Sequence, residues 1–236
     1  MIDRKAFRTL TSGLYLITSR ESDRKVGCVV NTLVQVASAP PTLAVALNKD
    51  NVTTAAIDAT GRFAATVLSE AAPMELIGAF GFRSSADTDK FADCPYCLDG
   101  AEIPYVTASG LARFSVRVTE KVDVGTHYLF VGIVEEAAVL EAGEPLTYAD
   151  YHRVKGGKTP PKAATFNGGE DGIDAVPAAA PVGDAAAPTT EEAPKRVAWR
   201  CPICGYVEEG YPDGLPADYT CPICGVPGSM FERVEI

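Results

Sequence analysis

Along the first two-thirds of the chain, apolar positions alternate with polar ones or fall in short β-branched runs. Such stretches at 14–18, 28–36, 42–47, 62–68, 111–118 and 128–134 are bounded by turn residues and predict six strands. Helices are expected at about 3–10, 51–58 and 73–80, and Asn51, followed by Thr53 and Thr54, offers side chains to cap the second. Many strands with few helices point to a mainly β module, a barrel or a sandwich.

From 165 to 196 the pattern stops. Alanine, proline and scattered acids build no apolar face, and prolines at 177, 181, 188 and 194 interrupt any helix, so this stretch reads as a flexible linker. It would span ~30 Å root-mean-square. The predicted organisation is therefore a module at 1–164, a linker at 165–196 and a small module at 197–236. The last forty residues are too few to bury a core unaided, which a bound metal would remedy.

Charge narrows the functions open to the chain. The net charge is −10, and the linker and the last module each carry two basic against six acidic residues. That balance argues against nucleic acid, and against an anionic membrane surface as partner. The N-terminal residues lack the apolar core of an export signal, and no apolar run has the length of a membrane helix, so the expected location is the cytoplasm.

Six of the seven cysteines fall in Cys-x-x-Cys pairs. The pairs Cys201-Pro-Ile-Cys204-Gly and Cys221-Pro-Ile-Cys224-Gly are two copies of one motif, each placing two sulfurs on one metal with a glycine for the tight turn that follows. Four thiolates suit zinc or iron. Aromatic residues at 199, 206, 211, 219 and 231 supply material for a small core. The segment from Trp199 to Phe231 resembles a short rubredoxin, with a shortened loop between the knuckles and Tyr219 where many rubredoxins have Trp. That resemblance implies one iron held by Cys201, Cys204, Cys221 and Cys224, moving one electron at a time.

In the first module, Gly27-Cys-Val-Val-Asn31-Thr32, Ser38-Ala-Pro-Pro and Asn48-Lys49-Asp-Asn51-Val-Thr53 gather hydroxyls, amides and a lysine at strand ends and a helix start. Alone, these are compatible with ordinary turn chemistry or with a phosphate cradle. Together with Asp89-Lys90-Phe91 and Gly125-Thr-His127, they resemble the flavin reductase family, whose fold is a split β-barrel. The resemblance implies a homodimer that binds FMN through Asn31, Thr32, Ser38, Asn48, Lys49, Asn51, Thr53 and Lys90. It also implies a nicotinamide or proton-handling role for His127. Asp93-Cys94-Pro-Tyr-Cys97 looks like a glutaredoxin tetrapeptide, but it sits in an expected loop and outside a βαβ setting, so two buried or loop thiols are the simpler reading, with a reversible disulfide near the flavin or a metal shared across a dimer as the alternatives. Cys28 reads as a small core residue.

The combination resembles the high-molecular-weight rubredoxins of anaerobes. It implies electrons from NAD(P)H passing through FMN to iron and on to a redox partner of the flavodiiron type, which reduces oxygen or nitric oxide. A general flavin or ferric reductase with a structural zinc ribbon, and a flavin-bearing carrier reduced by another protein, are the alternatives.

Overall fold

The computed structural model describes residues 3–160, 162–166 and 197–235; the linker expected at 165–196 lies outside them apart from Thr165 and Phe166. A 3-10 helix at Arg4–Thr9 stands where an N-terminal helix was expected, with Phe7 and Leu10 exposed, so no apolar face anchors a longer α-helix there. Then follow strands β1 (Tyr15–Glu21), β2 (Arg24–Val30), β3 (Val34–Ser38) and β4 (Pro41–Asn48), helix α1 (Val52–Thr60), β5 (Arg62–Leu68) and helix α2 (Met74–Gly81). The short pair β6 (Tyr96–Leu98) and β7 (Pro104–Val106), the long pair β8 (Gly110–Asp123) and β9 (His127–Val139), and helix α3 (Tyr148–Arg153) complete the first module.

Seven strands form one antiparallel sheet in the order β2-β1-β5-β8-β9-β4-β3. Its two edges, β2 and β3, are consecutive in sequence and separated only by Asn31, Thr32 and Leu33. A flat seven-stranded sheet is ~29 Å wide. The chain from Val30 to Val34 can reach no more than ~14 Å. The sheet therefore has to curl into a barrel, closed at this seam by the chain itself. This splits the single strand expected at 28–36. Thr32 turns its hydroxyl to the carbonyl of Ala46 at 2.7 Å, fixing the crossing.

Curvature comes from bulges in the β8–β9 ladder, between Ser115 and Val116 and between Val118 and Glu120. The barrel interior is a core of Ile17, Leu43, Val45, Leu47, Ile57, Phe63, Val116 and Phe130. Leu14, Leu16 and Leu68 face a second core on the outside of the sheet, covered by Ile77 and Phe80 of α2 and by Tyr151 of α3. Both faces of β1 and β5 are thus buried, which is why these strands read as apolar runs and not as alternation.

Helix α1 starts where its sequence predicts: Asn51 Oδ1 accepts the N–H of Thr53 at 2.9 Å, and Gly61 ends the helix in a left-handed turn at φ +64°. Helix α3 was not anticipated, although its signal is present, since Thr147 accepts the N–H of Asp150 at 3.0 Å. Helix α2 carries Gly78 in its interior, which costs the helix about 1 kcal/mol relative to alanine. Cys97, expected in a loop, lies on the short strand β6.

The C-terminal module is a three-stranded sheet of order β11-β10-β12, built from β10 (Val197–Arg200), β11 (Val207–Glu208) and β12 (Glu232–Glu235). Phe231, Trp199, Tyr206 and Tyr219 pack around its cysteines as expected, while Tyr211 is 37% exposed and touches Tyr219 edge-on. Phe63 is fully buried at the centre of the barrel. Replacing it with alanine should cost about 3–5 kcal/mol by denaturant unfolding of the protein.

Candidate functional site

The two knuckles of the C-terminal module fold alike. Cys201 N–H donates to Tyr206 O at 2.8 Å and Gly205 N–H to Cys201 O at 3.0 Å. In the second knuckle, Cys221 N–H donates to Val226 O at 2.8 Å and Gly225 N–H to Cys221 O at 2.9 Å. Gly205 and Gly225 take φ +82° and +79°, the left-handed turn that reserves these positions for glycine. Cys201 and Cys224 sulfurs stand 3.5 Å apart, as do those of Cys204 and Cys221, and all four lie within 4.8 Å of one another.

A metal tetrahedron with bonds of about 2.3 Å has edges of about 3.8 Å, so this cluster fits one ion. Burial pushes the Cys224 thiol up to about 12 and Cys204 higher. Four sulfurs this close together ionise together only against a cation. The residues present fit a tetrahedral thiolate metal.

In the barrel module, a cavity of about 360 Å³ opens beside the β2–β3 crossing. Asn31, Thr32, Asn48, Asn51, Lys90 and His127 line it, so six of the side chains singled out in the sequence meet here. Thr53, fully buried in the first turn of α1, lies behind them; its Oγ1 sits beside the Cys28 thiol with no hydrogen bond to oxygen or nitrogen. The structure does not bring Ser38 or Lys49 into this wall. Ser38 is exposed at the end of β3, paired with Pro41. Lys49 is bound to the Asp123 carboxylate at 2.6 Å and lies over the Tyr128 ring.

Lys90 is 7% exposed, and its ammonium donates to Gly27 O at 2.8 Å and Phe80 O at 3.2 Å. No carboxylate among the described residues pairs with it. Burial pushes its pKa down to about 8, so it is charged at neutral pH. Helix α1 points its N-terminus at the same cavity and has no acid in its first turn. A buried cation, asparagine amides and a helix N-terminus converging on one cavity fit an anionic, hydrogen-bond-accepting ligand such as a flavin phosphate.

The segment at 162–166 walls the outer side. Asn48 Nδ2 donates to Lys162 O at 3.1 Å and Asn31 Nδ2 to Thr165 Oγ1 at 3.2 Å. His127 opens β9, contacts Thr126 Oγ1 through Nδ1 at 2.8 Å, and is held below its ordinary pKa by burial, opposed by the Lys162 backbone.

Sequence reasoning missed part of this lining. Cys28 is both a core residue and a wall of the cavity, and Phe82, Arg83, Ser84 and Ser85 form a further edge. The Arg-Ser-Ser run after α2, one cation with two hydroxyls, was the available signal. Cys94 is half-buried with its thiol pushed up to about 11 by burial, whereas Cys97 is exposed.

Comparison with known proteins agrees with both halves. Residues 7–157 match the flavin reductase like domain, and residues 199–232 match the rubrerythrin, rubredoxin-like domain. Over 99% of its length the chain is 42% identical to a high molecular weight rubredoxin of Moorella thermoacetica, covering all of that protein. Over 70% of its length it is 44% identical to a ferric-chelate reductase (NAD(P)H) of Archaeoglobus fulgidus, covering 98% of that protein. The fold is shared with an NADH:FAD oxidoreductase of Streptomyces globisporus, at TM-score 0.56 and 23% identity over 61% of this chain and 85% of that one.

Two outcomes test the geometry. One metal ion should bind per chain, and Cys204→Ala should lose it together with exchange protection of residues 197–235, measured by metal analysis and hydrogen exchange. His127 should titrate below 6.5 by NMR. Because its folded pKa is depressed, its contribution to stability is complete above 6.5 and shrinks as the pH falls below that value.

Proposed function

The chain belongs to the flavin reductase-like family and ends in a rubredoxin-like domain, and from that premise we propose that it passes electrons from NAD(P)H through FMN to an iron centre and on to a redox partner. The observation that carries this reading is the pairing, in one chain, of a cavity holding an uncompensated buried ammonium with a four-thiol metal cluster. A flavin in the cavity would accept electrons in pairs from a nicotinamide and release them singly, matching an iron site that takes one at a time.

The chain's own residues then have separable tasks. Lys90 and the N-terminus of α1 neutralise the anionic part of the ligand. The amides of Asn31, Asn48 and Asn51 and the Thr32 hydroxyl orient it by hydrogen bonds. Asn51 does so while its Oδ1 caps α1. His127, its pKa lowered by burial, presents its ring to the cavity. The wall at 162–166 limits water access. Cys201, Cys204, Cys221 and Cys224 hold the iron.

A homodimer through the β3 edge completes the reading, supported by Val34 and Val36, each more than half exposed, beside a second cavity of about 460 Å³ lined by Tyr15, Leu33, Leu43 and Phe114. Seven free cysteines among the described residues suit a reducing cytoplasm, and no helix among those residues is long and apolar enough to cross a membrane. The tether that the sequence predicts at 165–196 would keep the metal at high effective concentration near the flavin. The partner we propose is of the flavodiiron type, in keeping with the identity over the whole length to a high molecular weight rubredoxin. A second reading, reduction of ferric chelates by the barrel module itself, is favoured by its 44% identity to a ferric-chelate reductase.

Anaerobic NADH titration, followed by visible absorbance, separates these readings. Bleaching of both flavin and ferric-thiolate bands is expected, and flavin bleaching without an iron band leaves the reductase alone. Cys201→Ala should retain flavin reduction and lose onward transfer. Lys90→Met should weaken FMN binding at least ~10-fold, converting to about 1.4 kcal/mol. Wild-type affinity should fall as the pH rises through about 8, while the variant stays flat, read by flavin fluorescence.

A further inference from the structure

The two knuckles make matching contacts with the barrel module. Each offers its proline carbonyl to a cation: Lys158 Nζ donates to Pro202 O at 2.9 Å, and Arg83 Nη2 donates to Pro222 O at 2.6 Å. Arg83 Nε adds a bond to Ile223 O at 3.1 Å. Met74 and Phe82 pack against the cysteine cluster from the barrel side. Gly205 lies so close to the chain after α3 that a Cβ on it would come within 2.2 Å of Gly156 O.

The most informative contact is at Gly78. A Cβ there would lie 2.0 Å from Cγ2 of Ile223, and the three nearest atoms all belong to Ile223. What a side chain at this helix-interior position would meet first is therefore the other module and not the barrel. A glycine is poorly suited to that position by propensity, and here it makes room for a side chain from the other module. Ile223 is fully buried as a result. On the other knuckle, Ile203, between the first two metal ligands, lines the barrel cavity.

We propose that α2 and residues 156–158 form a seat for the cysteine module, with Gly78 as its notch and with Arg83 and Lys158 gripping one knuckle each. Seating brings the knuckle edge at Ile203 to the mouth of the cavity. The proposal rests on the electron-transfer reading above and names the surface through which the two modules meet. Cys224 stays partly exposed and Gly225 exposed in the seated module, so the far edge of the metal site remains open to solvent.

The test uses the full-length protein loaded with flavin and iron, comparing wild type with Gly78→Leu, Gly78→Ala and Lys158→Ala. Hydrogen exchange and small-angle scattering read the seat without redox chemistry, and stopped-flow absorbance reads electron passage. In Gly78→Leu, protection of the Ile223 and Cys224 amides should be lost, the radius of gyration should rise, and flavin-to-iron transfer should slow at least ~10-fold, with flavin reduction by NADH unchanged. Gly78→Ala should weaken the seat to a smaller degree while raising the melting temperature of the barrel module, a combination that misfolding does not produce. Lys158→Ala should shift the exchange of the Ile203 and Cys204 amides.

Unchanged exchange and scattering in all three variants would overturn the seat. Transfer at the wild-type rate in a variant whose seat has opened would overturn it equally. If the seat opens as expected but wild-type flavin never reduces the metal, the seat stands and the electron-transfer reading fails.

Discussion

The architecture depends on one short connection. Strands β2 and β3 occupy opposite edges of a seven-stranded sheet yet are joined by three residues. A flat sheet is roughly twice as wide as that connection can reach, so the sheet must close on itself. The seam carries no strand-to-strand ladder, and the polar cavity opens there. Asn31 and Thr32 form its lip because they are the crossing, and Asn48 and Asn51 reach it because β4 ends and α1 begins alongside.

That seam also explains how a polar site persists in an apolar barrel. An ammonium away from water is costly unless its donors are used, and Lys90 spends two on the carbonyls of Gly27 and Phe80. The Asn51 side chain is committed to the α1 cap through its oxygen and also reaches the Cys28 thiol beside the cavity. Thr32, Asn48, Asn51 and Lys90 are thus anchored by backbone, and Asn31 and His127 by the hydroxyls of Thr165 and Thr126. The lining is set before a ligand arrives, so binding needs little further ordering.

The C-terminal module solves a different problem by different means. It has few residues and little apolar surface, so two copies of one knuckle bring four sulfurs together, and metal coordination takes the place of a larger core. The knuckle geometry serves twice. Its left-handed glycines turn the chain around the metal, and its proline carbonyls, left outside, become the groups that Arg83 and Lys158 hold. A neutral carbonyl meeting a cation is a contact that a small acidic module can make without any basic residue of its own.

Much of this was legible in the sequence, for local reasons. The knuckle motif fixes a turn within five residues, the Asn51 cap acts over two, and β5 coincides with its predicted span because an apolar run between a glycine and a serine has few other options. The grouping of Asn31, Asn48, Lys90 and His127 was reached through resemblance to a family and not through spacing, since these residues are far apart along the chain. What only the tertiary structure decided are matters of long-range geometry. The break in the strand expected at 28–36 follows from where the barrel closes. The placement of Lys49 on Asp123 and of Ser38 on an exposed edge follows from strand register. The role of Gly78 is invisible locally, because the residue that fills its notch lies 145 positions away in another module. Sequence alone determines turns, caps and metal ligands, whose partners lie within a few bonds; which distant groups share a cavity or a contact depends on how the sheet curls.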